Sequence, residues 1–328
     1  MNKNLKNKLT AISLIAACTC GLSLSSSALA WTSKPVKMIV PAPAGGTMDI
    51  VARSVADQLA LELNQPVVVE NKPGAGGAIA VQALIAAPGD GQTIMMTASN
   101  VLTEIPHVMK TGFDPLKDVE PVAMMVKASA VLVSAPSVPA KDLKELVAYA
   151  KANPGQLSFA SYSTGTISHY AGMILNQKAG LDLQHVPYAG SPPALTQVMS
   201  GQPLMMFDGM ATSLPLINGG KLRVYGVLSK TRSTHLPQVP TLAEQGYPEL
   251  DFSNWVGVIV EAGVPSAIRD AMNQTLANVA KSPKVRDRLV AAGFEPVENQ
   301  PPAQMNRAVK ADFERNASIV KTFNIKLN

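Results

Sequence analysis

Apolar and polar positions along this chain follow two rhythms: short unbroken apolar runs, and longer stretches with apolar residues three or four apart. Val36–Val40 is an apolar run closed by Pro41, which predicts a buried strand. From Thr47 to Leu63, apolar residues recur at Ile50, Val51, Val55, Leu59 and Leu63, the spacing of an amphipathic helix. Residues 67–69 predict a second strand and residues 79–87 a helix, stopped by Pro88-Gly89-Asp90-Gly91. Residues 93–97 predict a third strand. A glycine loop, Ala42-Pro43-Ala44-Gly45-Gly46, joins the first strand to the first helix. Strand, glycine loop, helix and strand in this order predict a right-handed β-α-β unit on a parallel sheet.

The second half keeps the rhythm. Residues 122–126, 131–134, 157–160, 204–207 and 222–228 read as strands, and His185-Val186-Pro187 as a strand end. Helices are predicted over residues 141–152, from the polar loop at 161–166 to about Ala179, and from Ser191 to Ser200. Beyond Pro265 the pattern is helical, with breaks at Pro283, Gly293 and Pro301-Pro302. The fold class is α/β throughout. Val40-Pro41 before Gly45-Gly46 has an echo in Val186-Pro187 before Gly190-Ser191. Each sets a helix N-terminus just beyond the carboxyl end of a strand, where open α/β sheets take ligands.

The leader changes the composition. Lys3, Lys6 and Lys8 precede an apolar run from Leu9 to about Leu24, and Ala28-Leu29-Ala30 supplies a small-x-small cleavage pattern. Residues 1–30 are therefore expected to be a secretory signal cut after Ala30. Ile15-Ala16-Ala17-Cys18 offers a competing lipoprotein box that would leave Cys18 lipidated. Both cysteines, Cys18 and Cys20, lie in the leader, so a chain starting at Trp31 has neither disulfide nor thiol chemistry. Without the three leader lysines the formal charge falls from +5 to +2. There is no basic cluster and few aromatic residues to stack bases, which argues against nucleic acid.

The loops carry the candidate chemistry. A helix N-terminus offers about four unpaired N–H groups and the positive end of a dipole, and glycine lets a ligand approach them. Ala44-Gly45-Gly46-Thr47 thus suits a carboxylate, with a hydroxyl from Thr47 and no lysine or arginine in the loop. A tight turn capped by Thr47 explains the same residues equally well. Asp49, in the first helical turn, is favoured there by the dipole. Ser161, Ser163, Thr164 and Thr166 make the loop before the next helix rich in donors, a second jaw. Gly74-Ala75-Gly76-Gly77 fails as a dinucleotide fingerprint because Ile79 stands where the third small residue belongs. His107, His169, His185 and His235 are widely spaced and none has metal-ligand spacing with another. Ser168, beside His169 and upstream of Asp208, lacks a nucleophile elbow, so a hydrolase is disfavoured.

Val40-Pro-Ala-Pro-Ala-Gly-Gly-Thr-Met-Asp49 and Val69-Glu-Asn-Lys-Pro-Gly-Ala-Gly-Gly77 resemble segments of the substrate-binding proteins of tripartite tricarboxylate transporters, the Bug (TctC-like) family. Tyr149-Ala-Lys-Ala-Asn-Pro-Gly155, His185-Val-Pro-Tyr-Ala-Gly190, Pro240-Thr-Leu-Ala-Glu-Gln-Gly-Tyr247 and Trp255 extend the resemblance in order to the C-terminus. It implies a two-lobed type II periplasmic binding protein fold with a hinge of crossing strands. The lobes are expected at residues 31–128 with 258–328, and at 129–257. It also implies a monomer in the periplasm that captures a small organic carboxylate, such as a di- or tricarboxylate or an aromatic acid. The ligand passes to one large and one small integral-membrane transporter subunit, with no cofactor, metal or catalysis. Carried over by position, the contacts fall on Ala44, Gly45, Gly46, Thr47 and Asp49, and on Ser161, Thr164, Gly165, Thr166, Ala189, Gly190 and Ser191. Ser99, Asn100 and Asp208 are further candidates. The family commonly carries phenylalanine where Ala42 stands, which implies a roomier cleft floor. A periplasmic sensor feeding a signalling receptor would share the same cleft.

Mass spectrometry of the exported protein should find a mature N-terminus at Trp31, and an acylated Cys18 would overturn that assignment.

Overall fold

The computed structural model describes residues 31–44, 47–252 and 254–324. The predicted leader with Cys18 and Cys20, and Gly45 and Gly46 of the first loop, lie outside the described residues. In chain order the elements are β1 (Val36–Val40), α1 (Thr47–Leu63), β2 (Val67–Asn71), α2 (Ala78–Ile85), β3 (Thr93–Ala98), the short α3 (Asn100–Thr103) and β4 (Val119–Ala128). A second group follows: β5 (Ala130–Ser134), α4 (Leu143–Ala152), β6 (Leu157–Ser161), α5 (Ile167–Lys178), β7 (Leu183–Pro187), α6 (Ser191–Met199), β8 (Met205–Gly209), α7 (Met210–Asn218) and β9 (Arg223–Leu228). The chain ends with β10 (Asn254–Glu261), α8 (Ser266–Lys281), α9 (Pro283–Ala291), β11 (Glu295–Pro296) and α10 (Pro302–Phe323).

These elements form two lobes, each built on one sheet. The first sheet has six strands in the order β11-β4-β10-β3-β1-β2, and the second five in the order β7-β6-β8-β5-β9. β1 is parallel to β2 and β3, with Met38 opposite Val69 on one side and Ile94 on the other. β6 is likewise parallel to β7 and β8. The sheets are nevertheless mixed, a correction to the parallel sheet expected from the β-α-β rhythm. β10 runs antiparallel to β3 and β4, and β5 antiparallel to β8 and β9. The reason is the route of the chain. β4 leaves the first sheet at the carboxyl end of its parallel strands, and after Ser129 the chain enters the second sheet as β5. It returns as β10 the same way. A strand arriving from the other lobe enters where the parallel strands finish, so it must run against them.

Both faces of each sheet are buried, which is why the strands read as continuous apolar runs. In β1, Met38 and Val40 pack with Val51, Val55 and Leu59 of α1 and with Met272 and Leu276 of α8. Ile39 points to the opposite face with Val81, Leu84, Met95 and Ile259. In the second lobe, Leu132, Phe159 and Phe207 share one face with Ile174 and Leu175, while Val131, Val133 and Met206 share the other with Leu195 and Val198. α10 spans both lobes: Met305 and Val309 join the first core, and Ile319 and Phe323 pack against the second. No helix among the described residues is long and apolar enough to cross a membrane. α7 escapes the sequence pattern because Pro215 sits inside it and cannot donate a helical hydrogen bond.

α5 lies close on β6 because residue 172 is glycine; a Cβ there would overlap the Phe159 ring. Gly172→Ala should therefore cost about 1–3 kcal/mol of stability through overpacking. Urea unfolding reads this as a lowered midpoint with an unchanged slope, and an unchanged midpoint would contradict this seating of α5.

Candidate functional site

The route of the chain brings the carboxyl ends of both sets of parallel strands, and the N-termini of α1, α5 and α6, to the boundary between the lobes. The first jaw follows β1. Residues 41–44 lead to the glycines outside the described residues, and α1 begins at Thr47. Asp49 is 3% exposed. Its Oδ2 accepts from Arg53 Nε at 3.0 Å, and its Oδ1 accepts from Asn71 Nδ2 at 2.9 Å. The Asn71 amide also donates to the Ala42 carbonyl at 2.9 Å. Asp49 thus ties the loop to the end of β2 and to its own helix. Arg53 was not singled out by the sequence reading, although its four-residue spacing from Asp49 is the mark of a helical ion pair.

At the end of β3, Ser99 is buried and serves the crossing strand. Its Oγ donates to Asn254 Oδ1 at 3.2 Å and accepts from the Trp255 N–H at 3.3 Å. Asn100 beside it is half-buried, and its side chain makes no hydrogen bond among the described residues.

The 161–166 loop of the second lobe is braced from within. Ser161 Oγ donates to the Ser163 carbonyl at 3.1 Å and lies 2.7 Å from His185 Nε2. Thr166 Oγ1 donates to the Ser163 carbonyl at 2.7 Å, and Ser163 Oγ to the Thr164 carbonyl at 3.3 Å. Only the hydroxyl of Thr164, among the four in this loop, makes no bond among the described residues. The Gly165 N–H donates to His169 Nδ1 at 3.2 Å, and the rings of His169 and His185 stack 3.9 Å apart. Two histidines far apart in sequence therefore act together as a brace for the loop. Burial pushes His169 down to about 3, assisted by the neighbouring His185, and burial alone lowers His185 to about 4. Both rings stay neutral near pH 7. Ser168 donates to the Phe207 carbonyl and not to a histidine.

The first N–H groups of α5 also have internal partners. Ile167 N donates to Glu104 Oε2 at 2.7 Å, across the lobe boundary, and Ser168 N donates to the Tyr162 hydroxyl. Glu104 is a residue that the sequence reading missed. Its mark in the sequence is an acid set in the apolar run Val101-Leu102-Thr103-Glu104-Ile105.

The Ala189-Gly190-Ser191 turn is held by Gly190 N, which donates to the Tyr162 carbonyl at 2.9 Å. Ser191 Oγ donates to Asp208 Oδ1 at 2.5 Å, while Thr212 Oγ1 and Ser213 Oγ donate to Oδ2 at 2.5 and 2.8 Å. Burial raises the Asp208 carboxyl above the usual range, and the three hydroxyls and the Gly209 N–H pull it back. Asp208 thus joins the N-termini of α6 and α7. The lobes touch directly at two further places. A Cβ at Gly165 would overlap Val108, and one at Gly293 would lie 3.0 Å from Ala211 Cα. Near the second contact, Ile50, Ala211, Leu214, Pro215, Ala292 and Phe294 line a small apolar cavity beside the first turn of α1.

Among the described residues, the buried carboxylates and the loop N–H groups of Gly165, Ile167 and Gly190 are already engaged, while the side chains of Thr164 and Asn100 make no internal hydrogen bond. Comparison with known proteins gives the family. Residues 51–325 match the model of the tripartite tricarboxylate transporter family receptor. The chain is 33% identical to Protein BugT of Bordetella pertussis over 325 residues, covering 98% of each. Among solved structures, the periplasmic binding protein BugD is 31% identical with a TM-score of 0.80, over 90% of this chain and 100% of BugD. The R. palustris protein Rpa4515 with adipate is 29% identical with a TM-score of 0.82, again over 90% of this chain and 100% of the other.

Asp208→Asn places an amide N–H against hydroxyl donors and should cost about 1–3 kcal/mol in urea unfolding. A wild-type midpoint would contradict the hydroxyl cage.

Proposed function

The chain belongs to the tripartite tricarboxylate transporter receptor family, and from that premise we propose that it is a periplasmic binding protein that closes its two lobes on one small organic carboxylate. The observation that carries this reading is the meeting of helix N-termini from both lobes at one boundary, in a chain whose R. palustris relative holds adipate. A dicarboxylate is the first class to test, with tricarboxylates and aromatic acids beside it. Backbone N–H groups of residues 44–47 grip one carboxylate, helped by the dipole of α1 and by Thr47. Thr164, Gly165, the Ala189-Gly190-Ser191 turn and Asn100 take the other end. Asp49, Ser99, Ser161, Thr166 and Asp208 hold these contacts in place, as their internal hydrogen bonds suggest.

A ligand that touches both lobes only when they are together stabilises the closed form, so capture works by population shift. We assign a mature chain beginning at Trp31, monomeric, delivering its ligand to a large and a small membrane subunit without transforming it. Because Asp49 and Asp208 are both engaged, recognition requires no amino group on the ligand.

A thermal-shift screen should give its largest stabilisation with a carboxylate lacking an amino group. In calorimetry with that ligand, Thr47→Ala and Thr164→Ala should each weaken binding by about 1–3 kcal/mol if their hydroxyls donate to a buried charge. Wild-type affinity in both variants would remove the site assignment, and stabilisation by amino acids alone would contradict the carboxylate class.

A further inference from the structure

Glu104 is a buried acid that joins the lobes. It is 2% exposed and stands just after α3 in the first lobe. Its Oε2 accepts the Ile167 N–H, the first of α5 in the second lobe, at 2.7 Å. Its own carbonyl accepts from the Tyr170 hydroxyl at 3.3 Å, one turn further along α5. The side chain of Asn254, where β10 crosses back, bonds the carboxyl as well, and Asn254 is in turn held by Ser99. One residue therefore contacts the first lobe, the crossing strand and the helix that follows the 161–166 loop. No lysine or arginine forms a salt bridge with Glu104 among the described residues. Its direct contacts are hydrogen bonds, whose narrow distance range makes them sensitive to lobe position.

We infer that Glu104 is a positioning residue for ligand binding, which couples closure of the lobes to placement of the 161–166 loop by seating on the N-terminus of α5. This rests on the two-lobed binding function proposed above. Parting the lobes separates the carboxyl from Ile167 and breaks the bond. Closing them restores it, with Thr164 and Gly165 brought up against the first lobe beside Val108. Interaction energy gained only in the closed form raises the population competent to bind, and so the apparent affinity.

The same geometry sets a pH dependence. Burial pushes the Glu104 carboxyl from its ordinary 4.5 up to about 8, against the pull of the Ile167 N–H, the Asn254 side chain and Arg315. The closed form thus binds this proton more tightly than an open form in which water reaches the group. Its contribution to closure is complete below 4.5 and is lost as the pH rises through about 8. The other titratable or charged groups facing it are Asp312 and Arg315 on α10, Tyr162 before α5 and Tyr170 on α5. All are unchanged in a substitution at residue 104.

The test compares the wild-type chain with Glu104→Gln and Glu104→Ala. Calorimetry uses adipate as the probe at pH 6 and pH 9, and hydrogen exchange follows the Ile167 amide without ligand. Glu104→Ala should weaken adipate binding by about tenfold at pH 6, the loss of one hydrogen bond to a buried group, and should speed Ile167 exchange by a similar factor. Glu104→Gln, whose amide oxygen accepts the same N–H, should restore both at pH 6. The wild type should lose affinity between pH 6 and pH 9, and Glu104→Gln should not. Wild-type affinity and exchange in Glu104→Ala, or the same pH profile in wild type and Glu104→Gln, would overturn the role. Adipate that fails to bind the wild type would count against the carboxylate reading, and Ile167 exchange would still decide on Glu104. Should Glu104→Ala not fold, the pH profile of Glu104→Gln decides alone.

Discussion

The pairing of β10 between β3 and β4 is the constraint on which the molecule depends. Val256 lies opposite Ala98 on one side and Val126 on the other, so the strand that returns from the second lobe is hydrogen-bonded along both edges. A central strand in that position cannot slip by one residue without turning Val256, Val258 and Val260 out of the core they fill. Fixing β10 fixes where the chain crosses, and with it which strand ends face the other lobe. Ser99 and Asn254, bonded to each other at that crossing, place the end of β3 and the turn that carries Glu104.

From this follows the electrostatic character of the boundary. The N-termini of α1, α5 and α6 converge there, and each brings partial positive charge without a basic side chain. Three buried carboxylates accompany them, each met by several donors. Asp49 takes Arg53 and Asn71, Asp208 takes three hydroxyls, and Glu104 takes the Ile167 N–H and Asn254. A buried charge is costly unless hydrogen-bonded or paired; the donors offset that cost only in part at Asp208, which burial raises above the usual range, and at Glu104, which it raises to about 8 and so keeps neutral near pH 7. The acids act as braces that aim the loops, and in the proposed site a ligand meets backbone N–H groups and neutral polar atoms.

Much of the fold was legible in the sequence because strands buried on both faces give unbroken apolar runs, and the α1 stripe at Val51, Val55, Leu59 and Leu63 gave its bounds directly. Strand direction was not, since it depends on which end of a sheet the chain enters. α7 was hidden by Pro215. At the site, the cluster of hydroxyls at 161–166 stood out, yet a count of donors says nothing about nearby acceptors. The fold turns Ser161, Ser163 and Thr166 onto their own backbone. The stacking of His169 on His185 joins α5 to β7, and the Glu104 bond joins two lobes. Neither has a local pattern to read.

The central claim is that a carboxylate is held between the lobes by backbone N–H groups of the first loop, without a basic side chain. A crystal structure of the chain with its most stabilising carboxylate tests this most directly. Carboxylate oxygens should lie within hydrogen-bond distance of the N–H groups of residues 45–47, with the second-lobe turn at 189–191 against the far end. A ligand seated instead on a lysine or arginine, or lying outside the boundary between the lobes, would contradict it.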